Sequence, residues 1–244
     1  MGGSSKNTLG LFFLGFFICA GMAAAGYFVG QTMYNAKVAL NTAQAKGLAE
    51  RRVKSDRTHW DIGLSLSIGE KAGIPKLYKE VEAHQNKIIA ILKEEGLDDT
   101  EIQRGIIDYN YNEYRDNYGK VSDRRHTLST KVTVETEKVD LITTVRAKIN
   151  TLIAEGIPIQ NREPRYLFTK LNDIKPDMLR EATKNARIAA NEFASNAGTK
   201  VGGIRSANQG SFFIRDAGEE YGDSRKIEKD VRVVTTITFY LNDN

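Results

Sequence analysis

From Asn7 to Ala36 the chain carries no charged residue, and within that stretch Leu9 to Val29 reads LGLFFLGFFICAGMAAAGYFV. A helix rises about 1.5 Å per residue, so some twenty such residues cross a hydrocarbon core of roughly 30 Å. Leu9, Leu11, Phe12, Phe13, Leu14, Phe16, Phe17, Ile18, Phe28 and Val29 supply the lipid-facing surface, and Tyr27 and Tyr34 suit the far interface. Residues 1–34 are therefore predicted to form a signal anchor, a single transmembrane helix. A cleaved export signal is the alternative, because Ala23, Ala24 and Ala25 offer a small-x-small site. The apolar run outlasts the h-region of about 7–15 residues typical of cleaved signals, which favours the anchor. Phe16, Phe17 and Ile18 before Cys19 do not make a lipobox.

Lys6 precedes the segment and Lys37 and Lys46 follow it, so the positive-inside rule barely discriminates. A short tail ahead of a long domain inserts most simply with the domain exported. The expected location is the cytoplasmic membrane, single-pass, with the folded part in the periplasm or outside the cell; the cleaved alternative is soluble and periplasmic. Residues 35–45 read as a short stalk and 46–244 as the folded domain. With 27% charged and 41% hydrophobic residues, the chain as a whole has the composition of a globular protein. The whole chain's 35 basic residues are nearly matched by 31 acidic ones and interleave with them, as in Glu50, Arg51, Arg52, Lys54, Asp56 and Arg57. A phosphate backbone needs a basic face, so no nucleic-acid partner is expected.

Past the stalk the hydrophobic period alternates between two and about 3.6. Trp60, Ile62, Leu64, Leu66 and Ile68 mark a strand over Thr58 to Ile68, with Lys46 to Lys54 as its expected partner. Ile74, Leu77, Tyr78, Val81, Gln85, Ile88, Ile91 and Leu92 predict a helix, with Pro75 in its first turn and Gly96 as its stop. Strands are predicted over Ile106 to Tyr114 and through His126, Leu128, Thr130, Val132 and Val134, and a second helix over Val139 to Glu155. Tyr166 to Leu171 reads as a strand, and Pro176 opens a third helix with a face of Leu179, Ala182, Ala186, Ala189, Ala190, Phe193 and Ala197. Val201 to Ile214 and Val231 to Leu241 read as the last strands, with a polar loop over Arg215 to Lys229. The fold class is α+β: a mixed or antiparallel sheet packed with three long helices, preceded by one transmembrane helix.

No chemistry stands out. His59, His84 and His126 show no metal-ligand spacing, and the single cysteine lies in the apolar segment, which excludes an exported thiol nucleophile or an internal disulfide. Asp108, Asn110 and Asn112 start like a calcium loop, but Glu113 stands at its sixth position and Gly119 at its twelfth. The glycines from Gly198 to Gly210 lack the GK[ST] of a phosphate loop. No catalytic, cofactor or metal residue is assigned. Tyr109, Tyr111, Tyr114 and Tyr118 form the one unusual cluster, either a strand face with its turn or a surface for an aromatic partner or glycan.

KGLAERRVKSDRTHW at Lys46 to Trp60, VTVET at Val132 to Thr136, and REATKNARIAANEFASNAGTKVGGI at Arg180 to Ile204 resemble the SIMPL-domain family of bacterial envelope proteins. The periplasmic immunogenic antigens belong to that family. The resemblance runs from Lys46 to Leu241 and rests on spaced small residues, Ala182, Ala186, Ala190, Ala194, Gly198 and Gly202. Asn185 stands where many relatives have aspartate. The resemblance implies an exported α+β domain without enzymatic activity that builds homo-oligomeric rings or barrels, and an association with envelope or oxidative stress. The expected partners are the bilayer and further copies of the chain; the competing class is a cell-wall-directed binding protein or hydrolase.

Overall fold

The computed structural model of the chain describes residues 4–38 and 41–242, with side chains over 10–36 and 41–242. The fold is α+β, with antiparallel registers in both sheets. Helix α1 spans Ser4–Val38, and its stretch Gly10–Ala36 is long and apolar enough to cross a membrane. Three further helices follow, α2 (Ile74–Glu94), α3 (Leu141–Ala154) and α4 (Leu171–Asn196). The strands are β1 (Thr42–Lys54), β2 (Arg57–Ile68), β3 (Ile102–Arg104), β4 (Asp108–Arg115), β5 (Val121–Thr136), β6 (Ile159–Asn161), β7 (Arg165–Leu167), β8 (Lys200–Gln209), β9 (Phe213–Asp216) and β10 (Glu228–Asn242). Of the segment read as a stalk, residues 42–45 lie in β1, while 39–40 fall outside the described residues.

The part read as one domain divides into two compact units. The larger holds Glu50–Met178 and Phe212–Arg232. Its sheet runs β3-β5-β2-β6, with β4 also on β5 and β7 also on β2. Alternation decides which face is covered: Trp60, Ile62, Leu64, Leu128, Val132 and Val134 are buried, together with Val81, Ile88 and Leu92 of α2 and Ile142, Ile149 and Leu152 of α3. Burying each such side chain stabilises by about 1.5–3 kcal/mol. Two polar side chains inside this core, Trp60 and Gln85, are hydrogen-bonded, whereas the hydroxyl of Thr58 is buried without a partner among the described residues. Trp60 Nε1 donates to Asn161 Oδ1 at 3.2 Å and to the Arg162 carbonyl at 3.0 Å. Gln85 Nε2 donates to the Gly105 carbonyl and to Thr130 Oγ1, both at 2.9 Å.

The smaller unit holds Leu179–Ser211, Val233–Asn244 and the N-terminal part up to Ala49. Here the sheet order is β1-β10-β8, and α4 lays an alanine line on it: Ala182, Ala186, Ala190 and Ala194 are buried, with Ala45, Ile237 and Phe239 facing them. The approach is close. A Cβ on Gly47 would fall 1.8 Å from the Ala182 carbonyl oxygen. Asn185 Nδ2 donates to the Leu48 carbonyl at 2.8 Å, a bond an aspartate could not give.

Several expectations are corrected. Lys46 to Lys54 does not pair with β2; it belongs to β1 in the other sheet, because its buried face is Ala45, Gly47 and Ala49, which fits alanines and not the bulky face of β2. Pro176 lies inside α4, which starts at Leu171, so the segment read as strand ends at Leu167. Phe193 is 63% exposed, since a helix held this close by alanine leaves no space for a ring beneath it. The strand read over 201–214 is two, β8 and β9, and residues 215–229 are partly strand and internally bonded. The short strands β3 and β6 carry no periodic pattern to reveal them.

Candidate functional site

The tyrosine cluster is split between faces. In the β4–β5 register Tyr109 stands opposite Leu128 and Tyr111 opposite His126, on the buried face of β5. Tyr114 lies on the other face, where the Arg125 guanidinium sits 5.7 Å from its ring centre. Tyr118 occupies the turn and is 96% exposed. That turn is built by Asp116, whose Oδ1 accepts the amides of Tyr118 and Lys120 at 2.9 Å, and by Gly119 at φ +77, a conformation that suits glycine.

Tyr109 and Tyr111 close over a buried histidine. The Tyr109 hydroxyl and His126 Nδ1 are 2.8 Å apart, with rings 17° from parallel at 6.0 Å. The Tyr111 ring lies 4.8 Å from the imidazole, tilted by 31°. Its hydroxyl donates to Glu113 Oε2 at 3.2 Å. Partial burial and this bond push the Tyr111 phenol above its ordinary pKa, so it stays a protonated donor. Desolvation alone would raise Glu113, but bonds from Tyr111 and Arg115 and the charges of Arg115 and Arg124 outweigh it and hold the carboxyl below the ordinary glutamate value. With Lys71 and Arg124, the two rings and His126 line a groove of about 500 Å³. Both hydroxyls are engaged and both ring faces stay partly exposed, so the arrangement is a contact platform.

A second constellation carries no sequence signal. Lys229 and Asp216 are fully buried, with Nζ 2.5 Å from Oδ1. Lys229 Nζ also donates to the Asp223 carbonyl at 2.8 Å, and the Arg225 and Lys226 amides donate to the Asp216 carboxylate at 2.9 and 3.0 Å. Burial raises the Asp216 pKa, yet these donors win and hold it below the ordinary aspartate value. The pair pins the 216–226 loop beside a polar cleft of about 430 Å³ that Arg146, Glu163, Tyr166, Glu219 and Arg225 help to line. Residues read as charged loop pass for solvent-facing, which is why the pair escapes a sequence reading.

The remaining sequence candidates are dispersed. Leu11, Phe12, Phe13, Leu14, Phe16, Phe17, Ile18, Phe28 and Val29 are exposed all along α1, and the side chain of Leu9 lies outside the described residues. His59 has Glu135 at 3.0 Å and Asp61 at 3.6 Å, while His84 and His126 lie on other elements. Among the described residues no group of three or more His, Cys, Asp or Glu side chains is placed to hold a metal ion.

A family model for SIMPL, described as a protein of unknown function (DUF541), matches residues 44–239. The chain belongs to the SIMPL-domain family. No curated protein matches it. The SIMPL match starts inside β1 and ends inside β10, so it takes in both compact units and leaves out α1. Being described as of unknown function, the family assigns no role to the tyrosine groove or to the Asp216–Lys229 loop.

Proposed function

We propose that this SIMPL protein is a membrane-anchored, exported envelope protein that assembles with copies of itself and has no catalytic activity. The observation that carries the reading is the free edge of the β4–β5 ribbon. Strand β2 ends at the Ile68–His126 pair, and beyond it β4 and β5 continue alone through Asn112–Arg125, Glu113–Arg124 and Tyr114–Asp123. A two-stranded ribbon is marginal in water. The β4 sequence DYNYNEYR carries the charged Asp108, Glu113 and Arg115 but neither lysine nor proline, and no strand pairs its outer edge among the described residues. The exposed edge strand β8 is different: Gly202 and Gly203 and two register shifts against β10 interrupt it.

Tyr114 and Tyr118 add rigid contact area with polar tips at the end of the ribbon. Helix α1 makes the bilayer the second partner and gathers copies in one plane. The family resemblance supports a ring or barrel as the form of the assembly, and envelope or oxidative stress as its setting. Light scattering on the full-length protein in detergent tests this. A mass that is a multiple of 27.2 kDa is expected, and a strict monomer at several concentrations refutes it.

A further inference from the structure

We infer that the groove at the base of the β4–β5 ribbon binds an anionic saccharide, with a sugar ring on Tyr111 and Tyr109 and its carboxylate or phosphate held by Lys71 and Arg124. This is independent of self-assembly, which uses the edge and tip of the ribbon. The first support is the platform. Tyr109 is 52% and Tyr111 42% exposed, but their hydroxyl bonds to His126 and Glu113 and the contact of both rings with the imidazole hold them in place. Fixed, half-open aromatic faces suit the C–H face of a pyranose, and binding there costs little side-chain ordering.

The second support is charge. Among the described residues Glu113 is the one carboxylate bonded to this cluster, and it is shared by Arg115 and Arg124, the latter at 3.5 Å. Lys71 has no ion pair among the described residues. Cations therefore outnumber carboxylates around an aromatic floor, a combination that selects a negative group beside a flat apolar face. The groove's volume of about 500 Å³ lies within the range of roughly 300–1,000 Å³ of small-molecule sites. A flat aromatic acid is the competing ligand, but the tyrosine–histidine stack already fills the space between the rings, leaving an open face and no slot.

The test uses the full-length protein in a polyoxyethylene detergent, which brings no sugar of its own, with binding followed by ligand-observed NMR and calorimetry. The probes are methyl glucuronide, glucose 6-phosphate, methyl glucoside and benzoate. The charged sugars are expected to bind about ten-fold more tightly than the glucoside, the value of one charge-assisted hydrogen bond. The tighter of the two names the anionic group. Lys71→Gln should weaken the preference for charge and Lys71→Gln with Arg124→Gln should erase it, and Tyr111→Ala should abolish sugar binding, while Tyr114→Ala on the opposite face changes none of these. Equal affinity for glucuronide and glucoside, benzoate binding in place of the sugars, no saturable binding, or full binding by Tyr111→Ala would each overturn the site.

Discussion

Asp216 and Lys229 show what a single pair of residues decides in this chain. Both are sealed from solvent, and each holds the other and a loop amide or carbonyl in place. Removing Lys229 leaves the Asp216 charge buried without its cation, held only by the Arg225 and Lys226 amides, so Lys229→Ala is expected to destabilise the protein by about 3–5 kcal/mol in urea unfolding. The sign of the pH dependence follows from the carboxyl. The Asp216 pKa is held below the ordinary value of about 3.9, so the folded state binds its proton less readily than the unfolded chain. The stabilisation is present above that value and is lost as pH falls through the lower folded one. Stability should be flat from pH 8 to about 5 and fall below about 4, and the deficit of Asp216→Asn should shrink over the same acid range. A urea midpoint for that variant that tracks the parent in parallel down to pH 3 would contradict it. None of this is legible in the sequence, where Lys229 sits in a polar run and the spacing of thirteen residues to Asp216 says nothing about burial.

At the scale of elements, what could be read depended on side-chain size. The apolar stripe of α2, including Gln85 in its midst, and the alternation of β2 and β5 are explicit because large residues repeat at a fixed period. Strand β1 offers only Ala45, Gly47 and Ala49 to the interior, a period of small residues that does not reveal which sheet the strand joins. Pro176 suggested a first turn, yet α4 begins five residues earlier; the bond it forfeits falls near the helix start, on the Asn172 carbonyl. The tyrosines were visible as a cluster, but a strand with period two had to place Tyr109 and Tyr111 apart from Tyr114. The close contact of α4 with β1 makes a sharp comparison possible. Gly47→Ala drives a methyl into the Ala182 carbonyl and should cost about 1–3 kcal/mol or more, whereas Phe193→Ala on the same helix should change stability by no more than about 0.5 kcal/mol. Equal effects in thermal unfolding would mean that the alanine line is not the packed face.

For the whole molecule, the class was legible because strands alternated with long helices, while the division into two sheets was not, since it depends on which distant strands pair. The course of the chain after α1 then bears on the assembly proposed above. The helix reaches Val38 and β1 starts at Thr42, and four residue steps span no more than about 15 Å even fully extended. With α1 in the bilayer, the first strand of the SIMPL domain must start close to the membrane surface. In a ring whose rotation axis is the membrane normal, every copy of α1 enters the bilayer from the same side. A double ring related by two-fold axes turns half of the helices away from it, leaving an apolar span such as Gly10–Ala36 in water or in a second membrane. The anchored protein is therefore expected to form a cyclic assembly, with dihedral pairs of rings appearing only when residues 1–38 are removed. Electron microscopy of full-length particles should show one detergent belt, and belts at both ends of a particle would refute the cyclic arrangement.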